Sequence, residues 1–172
     1  MSALALEICT HRVMANAPAS TSEPFHQPVL VDAVLMYLAP RPATVLVDAT
    51  CGTGGQSAAI LPRLVPGGRL NAIDHDAHAL ALAQRRLSEW QGMVTFHHAN
   101  FRELPALLRE LHVACVDGVL VDLGMSSLQV DRPERGFSFL REGPLDMRMD
   151  VRQRVSAATL VNELPEAELA QL

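Results

Sequence analysis

From Phe25 onward, short apolar runs alternate with amphipathic stretches. Val29–Leu38 has helical spacing and is stopped by Pro40 and Pro42. Thr44–Val47 is a short β-branched run and predicts a buried strand. The glycine cluster DATCGTGG follows, and a helix is expected over Gln56–Leu64, disturbed near its end by Pro62. Pro66-Gly67-Gly68 predicts a turn and Arg69–Ile73 a second strand. Asp76 is placed to cap the next helix, where Leu80, Ala83, Leu87 and Trp90 recur on one face as a core stripe. Met93–His97 predicts a third strand, Phe101–Leu111 a helix that tolerates Pro105 early, and Gly118–Leu123 a fourth strand. Continuous apolar strands separated by helices imply a parallel, doubly wound α/β sheet covered on both faces.

The rhythm breaks after Leu123. Residues 124–154 show no periodicity, although Phe137, Phe139, Met147 and Met149 argue that they are ordered. Ser156 is expected to cap a short helix, and Pro165 to open another. The boundaries expected are a flexible leader over 1–25, a nucleotide-binding half over 26–130, and a substrate-side loop with the start of a helical insert over 131–172.

Composition adds limits. Apolar residues make up 49% of the 172, which allows a real core. Net charge is −5 and all 14 basic residues are arginine, so a partner gripped mainly through phosphates finds no support in the overall charge. Cys9, Cys51 and Cys115 match no metal spacing and are expected to be buried free thiols in a reducing cytoplasm. The histidines His75, His78, His97, His98 and His112 lack metal spacing as well. No apolar run is long enough for a membrane span.

Asp48-Ala-Thr-Cys-Gly52-Thr-Gly54-Gly55 follows a strand and opens a helix, the context of a nucleotide loop. A pyrophosphate loop of the nicotinamide type wants G-x-G-x-x-G/A, and Ser57 breaks it. An acidic residue directly after the strand, with Thr50 in the first glycine slot, fits an S-adenosylmethionine (SAM) loop instead. Asp74, at the end of the second strand, suits ribose hydroxyls. Asp48, Asp74 and Asp122 all fall at carboxyl ends of strands, where ligands of open α/β sheets bind.

At this point the chain resembles the MraW/RsmH ribosomal RNA small-subunit methyltransferase H family. The resemblance runs through HQPVLVDAVL from His26, DATCGTGGQS, AIDHD, NFREL, and VDGVLVDLGMSSLQVDRPERGFSF followed by GPLDMRMD. It implies the class I SAM-dependent methyltransferase (Rossmann-like) fold, here its first half with the start of a helical insertion. It implies methyl transfer to the exocyclic N4 amine of a cytidine in 16S ribosomal RNA, in the cytoplasm. Carried over by position, Gly54, Gly55, Gln56, Asp74, Phe101, Asp122 and Gln129 would hold SAM. Asp122 is also the candidate catalytic group, as an acceptor for the amine's N–H. Gln56 stands where the family usually has histidine, so its amide can donate and accept but not titrate. Arg132, Arg135, Arg141 and Arg148, with Phe137 or Phe139 stacking on a base, are the candidates for RNA contact; the competing reading is an internally salt-bridged loop. Three other functions compete: an incomplete fragment that binds SAM or a partner only, a nicotinamide-dependent oxidoreductase, and a small-molecule methyltransferase.

Overall fold

The computed structural model describes residues 28–172. The expected leader, Cys9 and His26 lie outside the described residues. Four strands form one sheet: β1 (Val45–Asp48), β2 (Arg69–Asp74), β3 (Val94–His98) and β4 (Gly118–Leu120). All pairings are parallel, in the order β3-β2-β1-β4. This is the strand order in which a doubly wound fold begins, with the switch point between β1 and β4. The helices between strands are α2 (Gly55–Ile60), α3 (Ala77–Arg86) and α4 (Leu104–Glu110); α1 (Val31–Leu38) precedes β1.

Side chains alternate across a strand, so neighbouring residues of β1 feed opposite layers. Leu46 packs with Ile60, Leu61, Leu64, Leu70 and Leu87, the layer made by α2, the turn after it and the end of α3. Val47 packs with Ala49 and Ile73 beneath Phe101, Leu104, Leu107 and Leu108 on the α4 side. The predicted stripe on α3 is buried at Leu80, Ala83 and Leu87, with Trp90 packed against the same core. Asp76 caps α3 as expected, its Oδ1 accepting the N–H groups of His78 at 3.0 Å and Ala79 at 3.4 Å. Pro62 leaves its mark too: α2 stops at Ile60 and tightens into a 3-10 turn over Leu61–Arg63.

Several expectations are corrected. β4 pairs over only three residues, because Val121 and Asp122 have left the ladder. Burial on both faces holds for β1 and most of β2 but not for β3 or β4, where residues are half-buried or exposed. Cys51 is buried, whereas Cys115 is exposed. No helix among the described residues is long and apolar enough to cross a membrane.

Beyond β4 the chain forms α5 (Ser127–Val130), a 3-10 turn over Pro133–Arg135, then α6 (Ala157–Glu163) and α7 (Glu166–Leu169). Ser126 and Ser156 each cap a helix in a reciprocal capping box. Phe137 is buried, while Phe139 and Leu140 are fully exposed.

Burial decides which substitutions matter. Leu70→Ala, at the centre of the larger core layer, should cost about 2–5 kcal/mol in urea unfolding, whereas Val119→Ala on the outer strand should change stability by less than about 1 kcal/mol. Equal losses from the two would mean that β4 is as deeply packed as β2.

Candidate functional site

A cleft of about 650 Å3 opens at the carboxyl ends of the strands. Its floor is Thr50–Thr53 with Gly55 and Gln56, one wall is Asp74–Asp76 with Phe101, and the other is Asp122–Gln129 with Met149. Pro28 and Val29 close the near end.

Asp74 organises the floor. One carboxylate oxygen accepts the Gly52 N–H at 2.7 Å, and the other accepts the Asp76 N–H at 2.8 Å. The loop is thereby tied to the end of β2. Asp122 stands across the cleft, two residues past β4. Its N–H donates to Thr50 Oγ1 at 2.8 Å, and its Oδ2 accepts from Gln56 Nε2 at 3.2 Å. Gln56 also reaches the Val29 carbonyl at 3.5 Å. Its amide therefore links the opening segment, the loop helix and Asp122.

Beneath the floor lies Asp48, fully buried. It accepts from Ser57 Oγ at 2.6 Å and from the Thr50 N–H at 3.3 Å. Burial, reinforced by the negative charges of Asp74 and Asp122, lifts its pKa from 3.8 to about 6 against the pull of those hydrogen bonds. Burial, with the charge of Asp48, likewise pushes the Cys51 thiol up, so it is held as an unreactive thiol in the cleft floor.

The sequence pattern of the MraW methylase family matches residues 23–172. The chain belongs to that family. Ribosomal RNA small subunit methyltransferase H of Geobacter sp. strain M21 is 48% identical over 151 residues, covering 87% of this chain and 48% of the relative. The protein of that name from Nitratidesulfovibrio vulgaris is 51% identical over 125 residues, covering 73% and 35%. The chain spans about half the length of the curated relatives it matches. Among solved structures, a SAM-dependent O-methyltransferase from Thermotoga maritima matches at 20% identity with a TM-score of 0.42, over 46% of this chain and 32% of its own.

Of the residues that the MraW resemblance carried over, Gly55, Gln56, Asp74, Phe101, Asp122 and Gln129 line the cleft. Gly54 does not. Its φ of 78° lets the chain turn into α2, and a Cβ there would lie 3.1 Å from Leu87 and 3.3 Å from Ala83. This glycine permits close packing on α3. Asp48 is also displaced from its expected place: it ends β1 but faces inward, and only Asp74 and Asp122 reach the cleft. Gln129 lines the cleft with both ends of its amide engaged, Nε2 donating to Asp76 Oδ2 at 3.2 Å and Oε1 accepting the Ser126 N–H at 3.2 Å.

The arginines expected to meet RNA are mostly used internally. Arg135 is bonded to Asp76 and to the carbonyls of Arg148 and Met149. Arg148 is paired with Asp146 at 2.7 Å and bonded to the carbonyls of Val151 and Gln153. Arg141 donates to the Asp131 carbonyl and Arg132 lies 4.0 Å from Glu134. The internally bridged reading of this loop is the correct one for Arg135 and Arg148. Phe137 is buried and cannot stack on a base, while Phe139 remains exposed. Among the described residues, no group of three histidine, cysteine or acidic side chains is placed to hold a metal.

Thr50, Cys51 and Met149 line the cleft but were not among the predicted site residues. Thr50 carried a signal, since it fills a glycine slot with a hydroxyl. Met149 carried none, because only the fold of the loop brings it to the wall.

The buried acid gives a pH test. Unfolded Asp48 ionises above about 3.8 but folded Asp48 only near 6, so its contribution falls as pH rises through that window. The arginine-held carboxylates Asp146 and Asp150, at about 2, act in the opposite sense below it. Asp48→Asn should therefore gain on the parent by roughly 2–2.5 kcal/mol between pH 4 and pH 7, read as the difference between their urea unfolding free energies. Parallel curves would show that Asp48 is ionised in the fold without cost.

Proposed function

We propose that this chain binds SAM in the cleft and serves methyl transfer to the N4 amine of a cytidine in small-subunit ribosomal RNA. The observation that carries the reading is the pairing of Asp74 with the glycine loop on one wall and Asp122 on the other. Two oxygens of Asp74 take backbone N–H groups, yet each carboxylate oxygen has a second lone pair for a ribose hydroxyl. In front of Gly52 only the Thr50 carbonyl comes within 4.0 Å of where a side chain would begin, so the loop leaves a hollow for a ligand. The cleft volume falls within the usual range of small-molecule sites. The names of the relatives support the RNA substrate and the reaction.

Bound SAM supplies a methyl group made electrophilic by its sulfonium. The residues of this chain provide orientation. The cytosine amine is a weak nucleophile because its lone pair is drawn into the ring. An acceptor for one N–H turns that lone pair toward the methyl group and can hold the proton the nitrogen sheds. Asp122 is suited to this: Gln56 fixes one oxygen, and the other has no partner among the described residues. The Asp/Asn-Pro-Pro-aromatic motif of DNA amine methyltransferases is absent, and Asp122-Leu-Gly-Met-Ser-Ser occupies the position.

A second reading is cofactor binding without turnover. Its one structural ground is the outer strand, where Val119 and Val121 are exposed beside a β4 edge unpaired among the described residues, and the names of the relatives speak against it.

Calorimetric titration with SAM tests the cofactor, with NAD and Asp74→Ala as controls. The expected outcome is saturable SAM binding, lost in the variant and absent with NAD. No heat from protein that melts cooperatively would overturn the reading. Transfer of labelled methyl groups from SAM to unmodified small ribosomal subunits separates the two readings. If the chain turns over, Asp122→Ala should lower the rate at least about 100-fold. SAM binding without transfer would favour the second reading, and near-normal turnover in the variant would remove Asp122 from the chemistry.

A further inference from the structure

Arg135 is bonded inside the fold rather than offered to RNA, and its charged partner, Asp76, lies outside its own loop. The arginine is not among the cleft-lining residues, and it is too enclosed to meet a phosphate: its side chain is 12% exposed, and that of its partner Asp76 is 5% exposed. One guanidinium nitrogen, Nη1, donates to Asp76 Oδ2 at 2.7 Å. The other, Nη2, donates to the carbonyls of Arg148 at 3.1 Å and Met149 at 2.9 Å. Its own carbonyl accepts the Met147 N–H at 3.1 Å. A planar fork with two donor nitrogens is what this arrangement uses, and a single ammonium does not reproduce it.

The partners of Arg135 lie on both sides of the cleft. Asp76 is the cap of α3, and its N–H is held by Asp74, whose other oxygen holds Gly52 in the floor. Asp76 Oδ2 also accepts from Gln129 of α5. Met149, whose carbonyl Arg135 holds, lines the same cleft. A continuous chain of hydrogen bonds therefore runs from the glycine loop through Asp74, Asp76 and Arg135 to the wall formed by Gln129 and Met149. Burial opposes the charge on Asp76, but Arg135 and Gln129 outweigh it, and its carboxyl is held below the usual range.

We propose that Arg135 is a positioning residue: it latches the loop after β4 onto the cap of α3 and so sets the wall of the cofactor cleft. The affinity part of this proposal rests on the SAM reading above. Without the latch, Met149 loses its tie to the rim that carries Asp74, and Gln129 keeps only its own bond to Asp76. Cofactor affinity then falls although no group facing the cofactor has been changed.

The test compares the parent with Arg135→Lys, which keeps the charge and loses the fork, and Arg135→Met, which loses both. Amide hydrogen exchange without cofactor reads the latch, and calorimetry reads SAM affinity. Both variants should exchange faster at residues 126–130 and 147–149, with the β2 amides still protected, and should bind SAM about tenfold more weakly or worse. Protection of β2 separates an opened wall from general unfolding, and should Arg135→Met fail to melt cooperatively, Arg135→Lys carries the comparison. Unchanged exchange in these segments would overturn the latch. Faster exchange with SAM affinity within about twofold of the parent would overturn its role in setting the cleft. A parent that binds no SAM would overturn the cofactor reading and the affinity claim with it, while the cofactor-free exchange would still decide whether Arg135 holds the wall.

Discussion

A single carboxylate at the end of β2 gives the cleft its shape. Asp74 accepts one N–H from the glycine loop and one from the turn into α3. Both donors belong to tight turns that leave the sheet, where no ladder partner is available. A charged acceptor makes these bonds strong, and it fixes the loop and the helix cap relative to each other. Asp76 is then held where its side chain can cap α3 and receive Gln129 and Arg135. The cleft is thus assembled outward from one strand end, and the groups facing a ligand are held by groups that do not.

This order of assembly explains what could be read from the sequence. β1, β2 and α3 were legible because their apolar positions obey simple periods and are buried at those positions. The cap at Asp76 and the capping boxes at Ser126 and Ser156 follow local rules that need no tertiary knowledge of the chain. Cleft residues near strand ends were legible for the same reason, since topology alone puts Asp74 and Asp122 on one rim. The glycine loop was only partly so. A motif shows that small residues are needed but not what each of them faces, and a side chain at Gly54 would meet Leu87 and Ala83.

Arginine-rich loops are harder to read, because charge along a sequence does not show whether a partner lies in solvent or in the fold. Between Arg132 and Asp150, cations and carboxylates nearly cancel. Among the described residues the fold resolves them into local pairs, such as Arg148 on Asp146, and into a long-range pair, Arg135 on Asp76. The long-range pair spans 59 residues of sequence, and no local spacing rule anticipates it. Asp48 was misread for a related reason. A strand end can face the cleft or the layer below it, and the serine nine residues on, which broke the nicotinamide pattern, is the partner that turns Asp48 inward.

These internal uses of charge change how an RNA substrate would have to be met. With a net charge of −5 and Arg135 and Arg148 already bonded, the cations that the loop after α5 turns to solvent are Arg141, Arg152 and Arg154, among exposed carboxylates such as Glu134 and Glu142. That loop also exposes apolar side chains, since Phe139 and Leu140 stand clear of the fold, and Leu123 and Met125 are open beside the cleft. Contact made by stacking and apolar burial depends far less on ionic strength than contact made by phosphate pairing. Under the proposed RNA reading, Arg135 serves the wall of the cleft rather than a phosphate, and a base entering that cleft would meet the apolar side chains of Leu123 and Met125.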